Sequence, residues 1–126
     1  LVIVDEAYAE FARELSPDFP DATTIQRPNI ITLRTFSKAY GLAGLRLGFG
    51  VAHPDIITTL MKVKLTFEPS FISQAAGLAA LDDDDFMRRT VENAKTGLLR
   101  YYEAFDRMGL SYVPSFGNFV MVDFDT

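Results

Sequence analysis

Short apolar runs separated by polar turns predict three β-strands in the first half of the chain. Leu1 to Val4 is apolar throughout, which is typical of a strand buried on both faces of a helix-covered parallel sheet. Asn29 to Phe36 is rich in β-branched residues and predicts a second strand. Leu45 to Ala52 predicts a third strand, which Gly48 and Gly50 loosen.

Helix signals lie between and after these strands. Ala7 to Leu15 is compatible with a helical turn or a loop, and residues 16–28 are expected to be irregular because they contain three prolines. Proline suits the first turn of a helix, so a helix is predicted from Pro54 to about Lys64. Ser70 is a typical cap for a further helix from Phe71 to Leu81.

The longest periodic segment predicts a helix of about six turns. The acidic run from Asp82 to Asp85 suits the positive end of its dipole, and Gly109 is a typical stop. Two more strands are predicted behind it, Leu110 to Val113 and Asn118 to Phe124. The apolar stripe of the helix alternates spacings of four and three: Met87, Val91, Ala94, Leu98, Tyr101, Phe105 and Met108.

This order of elements predicts an α/β fold followed by a smaller α+β unit. We expect residues 1–83 to be the end of a large domain, residues 84–109 a connecting helix and residues 110–126 the start of a small domain. The chain begins at Leu1, inside an apolar run, without the polar residues usual at a domain terminus. We therefore expect an internal piece of a longer protein.

Composition excludes several classes of protein. With 48% apolar and 23% charged residues, the 126-residue chain resembles an ordinary globular domain rather than a disordered or collagen-like chain. A net charge of −5 makes nucleic acid a poor partner. The chain has no cysteine and one histidine, which excludes thiolate and His-rich metal sites. No apolar run reaches the roughly 20 residues that cross a bilayer, and we expect a cytoplasmic protein.

Residues capable of chemistry follow the first two predicted strands, at the sheet edge where α/β proteins bind ligands. Burial of Lys38 would favour an uncharged amine that attacks carbonyl groups, although a surface lysine is the commoner case. Asp5, directly after a strand, would pair with a protonated heterocyclic nitrogen or cap the amides of the next turn. Tyr8 is either a site residue or core filler.

Two hydroxyls and a guanidinium lie near this edge in the sequence. Thr35, Ser37 and Arg46 together suit a phosphate group, whereas Arg46 alone would also fit a surface ion pair. The glycines at 41 and 44 form neither a P-loop nor a dinucleotide fingerprint, because the Gly-Lys-Ser/Thr ending and the first Gly-x-Gly are absent. A phosphate site here would therefore be of another type.

Taken together, two segments are specific in order and spacing. Val4–Phe11 (VDEAYAEF) and Thr35–Phe49 (TFSKAYGLAGLRLGF) closely resemble the histidinol-phosphate aminotransferase family, and the resemblance extends to Ser73–Leu81 and Pro114–Phe119. That family belongs to the class I/II aminotransferases, which are fold-type I enzymes dependent on pyridoxal 5'-phosphate. The resemblance implies part of the large domain, a mixed and mostly parallel sheet with helices, plus the start of a small α+β domain.

The resemblance also implies a role for each site residue. Lys38 matches the lysine that holds the cofactor as an internal aldimine and later moves a proton. Asp5 matches the acid that pairs with the pyridinium nitrogen and so maintains the ring as an electron sink. Tyr8 matches the phenol bonded to the 3-oxygen of the ring. The residues matching cofactor-phosphate ligands are Thr35, Ser37 and Arg46.

The implied function is transfer of an amino group, from histidinol phosphate in the first place, to 2-oxoglutarate during histidine biosynthesis. The alternatives on the same fold are an aminotransferase for aromatic amino acids and a decarboxylase for phosphorylated amino acids. A cofactor-sensing regulator and a cofactor-free relic are alternatives of another class. Family enzymes take further cofactor and substrate contacts from earlier and later segments, so we expect the isolated piece to have little or no activity.

Fold-type I enzymes are typically homodimers with sites at the interface, so the resemblance implies a homodimer. Small-molecule amino donors and 2-oxo acids are the expected partners, with no nucleic acid and no membrane. Aromatic side chains away from the site are expected in the core or at the dimer interface. They are Phe11, Phe19, Phe36, Phe67 and Phe71.

Overall fold

A three-stranded mixed sheet forms the first part of the protein, for which a computed structural model describes residues 1–25 and 27–124. Its strands are β1 (Val2–Asp5), β2 (Ile30–Thr35) and β3 (Gly48–Ala52), in the order β1-β2-β3. β1 and β2 run parallel, whereas β3 is antiparallel to β2. The three predicted strands are therefore confirmed, with β1 shifted by one residue and β2 and β3 shorter than predicted.

Helices and a second sheet complete the described chain. β4 (Ser111–Val113) pairs antiparallel with β5 (Met121–Asp123), which confirms the two late strands. Single 3-10 turns lie at Ala22–Thr24 and Ala43–Leu45. No helix in the described ranges has the length and apolar character needed to cross a membrane. The α-helices are α1 (Ala9–Leu15), α2 (Pro54–Met61), α3 (Phe71–Leu81) and α4 (Asp84–Met108).

Two helices are capped by residues that the sequence places at their ends. The Ser70 hydroxyl accepts a hydrogen bond from the Ser73 amide at 3.1 Å, at the start of α3. Asp83, within the acidic run, accepts one from the Phe86 amide at 2.9 Å. Gly109 ends α4 with a φ of +69°, a left-handed conformation that glycine adopts without strain.

β1 is not buried on both faces, contrary to the prediction from its apolar run. Leu1 and Ile3 are 78% and 59% exposed in this chain. β1 lies at the edge of the sheet, and in the described part of the chain its one strand neighbour is β2. An apolar run thus predicted a strand correctly but did not predict which elements cover it.

The predicted stripe on α4 is buried only in its first part. Val91 and Leu98 are buried, whereas Tyr101 and Met108 are exposed. A strict heptad spacing drifts by about 20° per heptad on a straight helix, so the far end of the stripe turns away from the core. There, Phe105 packs on β4 through its contact with Tyr112.

The five phenylalanines predicted to lie in the core or at a dimer interface also differ in burial. Phe11 and Phe36 are buried, which confirms them as core residues, and Phe19 is half-buried. Phe67 and Phe71 are 92% and 83% exposed and are not core residues of this chain. Their place in a dimer interface remains a prediction.

An ion-pair network that is buried at Glu6 and partly exposed at Asp21 ties the loop after α1 to the sheet. The Arg34 guanidinium on β2 donates to the Glu6 carboxylate at 2.9 and 2.6 Å, and to Asp21 at 2.8 Å. The second Glu6 oxygen accepts from the Ala22 amide at 2.8 Å. Arg13 on α1 forms a further ion pair with Asp21 at 2.7 Å. No local sequence pattern predicts this network, because its members lie far apart in the chain.

Replacing Glu6 with glutamine is expected to reduce the free energy of unfolding by about 2 kcal/mol, because Arg34 then loses a charged partner inside the protein. Urea unfolding of the full-length protein measures the change. Glu14→Gln, on the exposed side of α1, is the control and should lie within about 0.5 kcal/mol of wild type. Equal effects of the two substitutions would contradict the proposed importance of the network.

Stability is also expected to depend on pH through Asp21. The Thr23 hydroxyl, then the Thr23 amide and the Arg13 and Arg34 guanidiniums, lower the pKa of Asp21 below its ordinary value of 3.8. The ionised form therefore stabilises the fold above about pH 4, and this contribution declines as the pH falls through the lowered pKa. Asp21→Asn should thus be less stable than wild type at about pH 7, with a smaller difference at about pH 3. A difference that does not shrink at low pH would contradict this assignment.

Candidate functional site

The carboxyl ends of β1 and β2 lie side by side because the two strands are parallel. Asp5, the last residue of β1, pairs in register with Leu33, and Thr35 ends β2 two residues later. A concave pocket of about 640 Å³ opens at this edge. Five of the six predicted site residues line it: Asp5, Thr35, Ser37, Lys38 and Arg46.

Asp5 and Glu6 are neighbours in the chain with different surroundings. Side chains alternate between the two sides of an extended chain, so Glu6 enters the buried ion-pair network while Asp5 lines the pocket. One Asp5 oxygen accepts a hydrogen bond from the Ala7 amide at 3.0 Å, as the capping alternative predicts. A carboxylate has two acceptor oxygens, so Asp5 can also accept a hydrogen bond from a protonated ring nitrogen.

Lys38 is exposed, so the surface position holds in this chain rather than the buried one. It lies in the turn after β2, between the buried residues Phe36 and Ala39, which direct the lysine side chain outwards. Its amine stands 5.2 Å from the centre of the half-buried Tyr8 ring, within the range of a cation–π contact. Tyr8, the remaining predicted site residue, thus lies beside the pocket-lining lysine.

The three predicted phosphate ligands differ in what their side chains already bind. The Thr35 hydroxyl accepts from the Ser37 amide at 3.0 Å and is 3.4 Å from the Leu47 carbonyl, so it shapes the loop. The Ser37 hydroxyl has no protein partner among the described residues. Arg46, with a φ of +50°, donates to the Ala43 carbonyl at 2.8 Å and forms no ion pair in the described ranges. Ser37 and Arg46 therefore retain donors for an anion.

Two glycines of β3 keep this side of the pocket free of side chains. A Cβ at Gly48 would lie 2.7 Å from the carbonyl oxygen of Arg34, a contact that the backbone does not accommodate. Gly50 is level with Leu33, and a Cβ there would lie 3.4 Å from the leucine side chain. The sequence indicated only that these glycines loosen the strand.

A late segment of the chain also reaches the site, and the sequence analysis missed it. The Phe119 and Tyr8 rings pack edge to face, with 5.1 Å between the ring centres. Gly117 and Phe119 line a small cavity of about 230 Å³ together with Asp5 and Tyr8. The motif Pro114–Phe119 marked this segment as distinctive, but a local pattern contains no information about a contact over a hundred residues away in the chain.

The chemistry of these groups fits a phosphorylated heterocyclic aldehyde such as pyridoxal phosphate. A guanidinium and a hydroxyl suit its phosphate, a carboxylate suits a protonated ring nitrogen, and an amine suits the carbonyl carbon. No cluster of His, Cys, Asp and Glu in the described ranges is arranged to hold a metal ion. The arrangement therefore favours organic carbonyl chemistry at this edge of the sheet.

Sequence comparisons agree with this geometry. The chain is 47% identical to histidinol-phosphate aminotransferase 2 of Carboxydothermus hydrogenoformans, over 97% of this chain and 34% of the relative. It is 48% identical to the histidinol-phosphate aminotransferase of Akkermansia muciniphila, over 97% of this chain and 33% of the relative. The chain thus spans about a third of the length of the curated relatives it matches.

The fold is shared with a solved enzyme. The histidinol-phosphate aminotransferase of Sinorhizobium meliloti, solved in complex with pyridoxal-5'-phosphate, superposes with a TM-score of 0.91 at 37% identity, over 100% of this chain and 34% of that chain. This match confirms the predicted fold class, part of a fold-type I α/β transferase. The family model for aminotransferase class I and II matches residues 1–125. The chain belongs to the class I and II aminotransferase family.

Proposed function

We propose that the protein carrying this chain is a pyridoxal-phosphate-dependent aminotransferase that uses histidinol phosphate as amino donor and 2-oxoglutarate as acceptor. The observation that carries the proposal is the pocket at the carboxyl ends of β1 and β2, which Asp5, Lys38 and Arg46 line. The names of the relatives support histidinol phosphate as the donor and histidine biosynthesis as the pathway.

Each site residue has a role that follows from the chemistry of its side chain. Ser37 and Arg46 would bind the cofactor phosphate through charge-assisted hydrogen bonds, since both residues line the pocket. The Asp5 carboxylate holds the proton on the ring nitrogen. Pyridoxal phosphate, when bound, supplies the electron sink for the charge left at the substrate carbon. Thr35 holds the loop that carries Ser37 rather than the phosphate itself.

Lys38 and Tyr8 act at the reacting end of the pocket. Lys38 would hold the cofactor through its carbonyl carbon, and its amine, once an amino donor has taken its place there, would move the proton at the reacting carbon. The Tyr8 phenol would donate a hydrogen bond to the neighbouring ring oxygen. The 5.2 Å separation of the Lys38 amine from the Tyr8 ring supports their joint action at one place.

The same proposal includes the organisation of the complete protein. A large domain ending near residue 83, the connecting helix 84–109 and a small domain from residue 110 remain our prediction. A homodimer and a cytoplasmic location are further parts of the proposal. The loop between β4 and β5 contributes to the surroundings of Tyr8, since it carries Phe119.

Lys38→Ala in the full-length protein is expected to abolish the visible absorption of bound cofactor and to lower turnover at least a thousandfold, as is usual for a lost covalent catalyst. Absorption spectra and steady-state rates measure the two effects. Lys95→Ala, which removes an exposed lysine of α4, is the matched control and should leave both unchanged. Normal turnover by the Lys38 variant would contradict the assignment.

Histidinol phosphate added alone to the cofactor-loaded full-length protein is expected to convert the bound cofactor to its pyridoxamine form, which absorbs at shorter wavelength. Stopped-flow absorption spectroscopy measures this conversion. Subsequent addition of 2-oxoglutarate should convert the cofactor back to its original form. The 126-residue chain alone is expected to show no conversion. Release of carbon dioxide would indicate the decarboxylase instead, and conversion only by aromatic amino acids would indicate the aromatic aminotransferase.

A further inference from the structure

The Tyr8 ring is held between groups from two distant parts of the chain. On the pocket side, the Lys38 amine lies 5.2 Å from the ring centre. The Phe119 ring meets Tyr8 edge-on, at 5.1 Å between centres and an interplanar angle of 68°. This is a favourable geometry for aromatic pairs, because the positive edge of one ring faces the negative face of the other. Phe11 in α1 is more distant, at 6.4 Å.

A series of hydrogen bonds fixes the loop that presents Phe119. The Tyr102 hydroxyl, on α4, accepts from the Ser115 amide at 2.7 Å. The Ser115 hydroxyl in turn accepts from the Gly117 amide at 3.0 Å. Tyr102 also stacks on Tyr112 of β4, at 4.8 Å between ring centres, so the loop is tied to the two elements that precede it.

Gly117 provides the space that the Phe119 contact needs. A Cβ at this buried position would lie 2.9 Å from Cε1 of Phe119 and 3.4 Å from Cδ1 of Tyr8. The first distance is shorter than normal carbon contacts, so any larger residue would push the Phe119 ring away. Gly117 is therefore required by the approach of the two rings rather than by its own backbone angle.

We propose that Phe119 is a positioning residue that fixes the Tyr8 ring, and through it the directions of the Tyr8 phenol and the Lys38 amine. The part of this inference that concerns the phenol and the cofactor rests on the proposed function. The contact between Phe119 and Tyr8 does not, so it is testable in the cofactor-free protein. The loop between β4 and β5 thereby becomes part of the reacting end of the site.

The first test uses cofactor-free full-length protein labelled with 3-fluorotyrosine, in which Tyr8→Phe identifies the Tyr8 fluorine signal. Phe119→Leu should shift this signal by more than its line width, because the ring edge is lost. Phe119→Tyr keeps an aromatic edge and should leave the signal near its wild-type position. The matched control is Phe116→Leu. Phe116 is in the same loop and similarly exposed, at 54% against 56%, and has no ring contact with an aromatic residue in the described ranges.

The second test uses the cofactor-loaded protein and follows the visible absorption of the bound cofactor against pH. A phenol that donates a hydrogen bond to the ring oxygen weakens the hydrogen bond between that oxygen and the proton on the neighbouring nitrogen. A misplaced phenol should therefore raise the pH at the midpoint of the absorption change. For the loss of one aromatic contact, we expect Phe119→Leu to raise the midpoint by about 0.5 pH unit. Phe119→Tyr and Phe116→Leu should keep the wild-type midpoint.

Gly117→Ala tests the same contact if Phe119→Leu does not fold, because it displaces the Phe119 ring without removing it. It should shift the Tyr8 signal in the same experiment. The inference is overturned if the Tyr8 signal is unchanged in both Phe119→Leu and Gly117→Ala, or if Phe116→Leu shifts it equally. A wild-type protein that takes up no pyridoxal phosphate would overturn the proposed function, while the fluorine signal still decides whether Phe119 holds Tyr8.

Discussion

The geometry of the site depends on one buried carboxylate. Glu6 accepts two hydrogen bonds from Arg34 and one from the Ala22 amide, so it joins the end of β1, the strand β2 and the loop after α1. A buried charge is tolerated only when it is fully paired, and each partner therefore restricts the other. Asp5 precedes Glu6 and Thr35 follows Arg34, so the pocket-lining residues are set by an ion pair at the wall of the pocket, which Arg34 itself lines.

The elements that the sequence predicted correctly are those determined by local chemistry. Ser70, Asp83 and Gly109 end or begin helices through short-range hydrogen bonds and backbone angles, and the structure confirms them. Burial was predicted less well, because it depends on which elements lie across from a residue. For this reason the exposure of Ile3, and that of Met108 at the end of the α4 stripe, were not anticipated.

The same distinction applies to the site. Asp5 and Lys38 were found because the carboxyl ends of parallel strands share one sheet edge, which is a rule of topology that the sequence pattern is sufficient to apply. Phe119 was not found, since its contact with Tyr8 joins residues far apart in the chain. The sequence left Lys38 open between a buried and a surface position, because burial depends on neighbours in space, and the structure shows Lys38 exposed beside the buried Ala39.

The backbone of Lys38 is fixed, whereas its side chain is free to rotate. Phe36 and Ala39 are buried on either side of it, so its backbone is immobilised by the core, whereas its exposed four-carbon stem can rotate. The amine lies 5.2 Å from the centre of the Tyr8 ring, and its reach is set by the length of this stem. A group tethered in this way acts at a local concentration far above that of any amine in solution. Catalysis at this edge would then be limited by the orientation of the side chain rather than by an encounter between separate molecules.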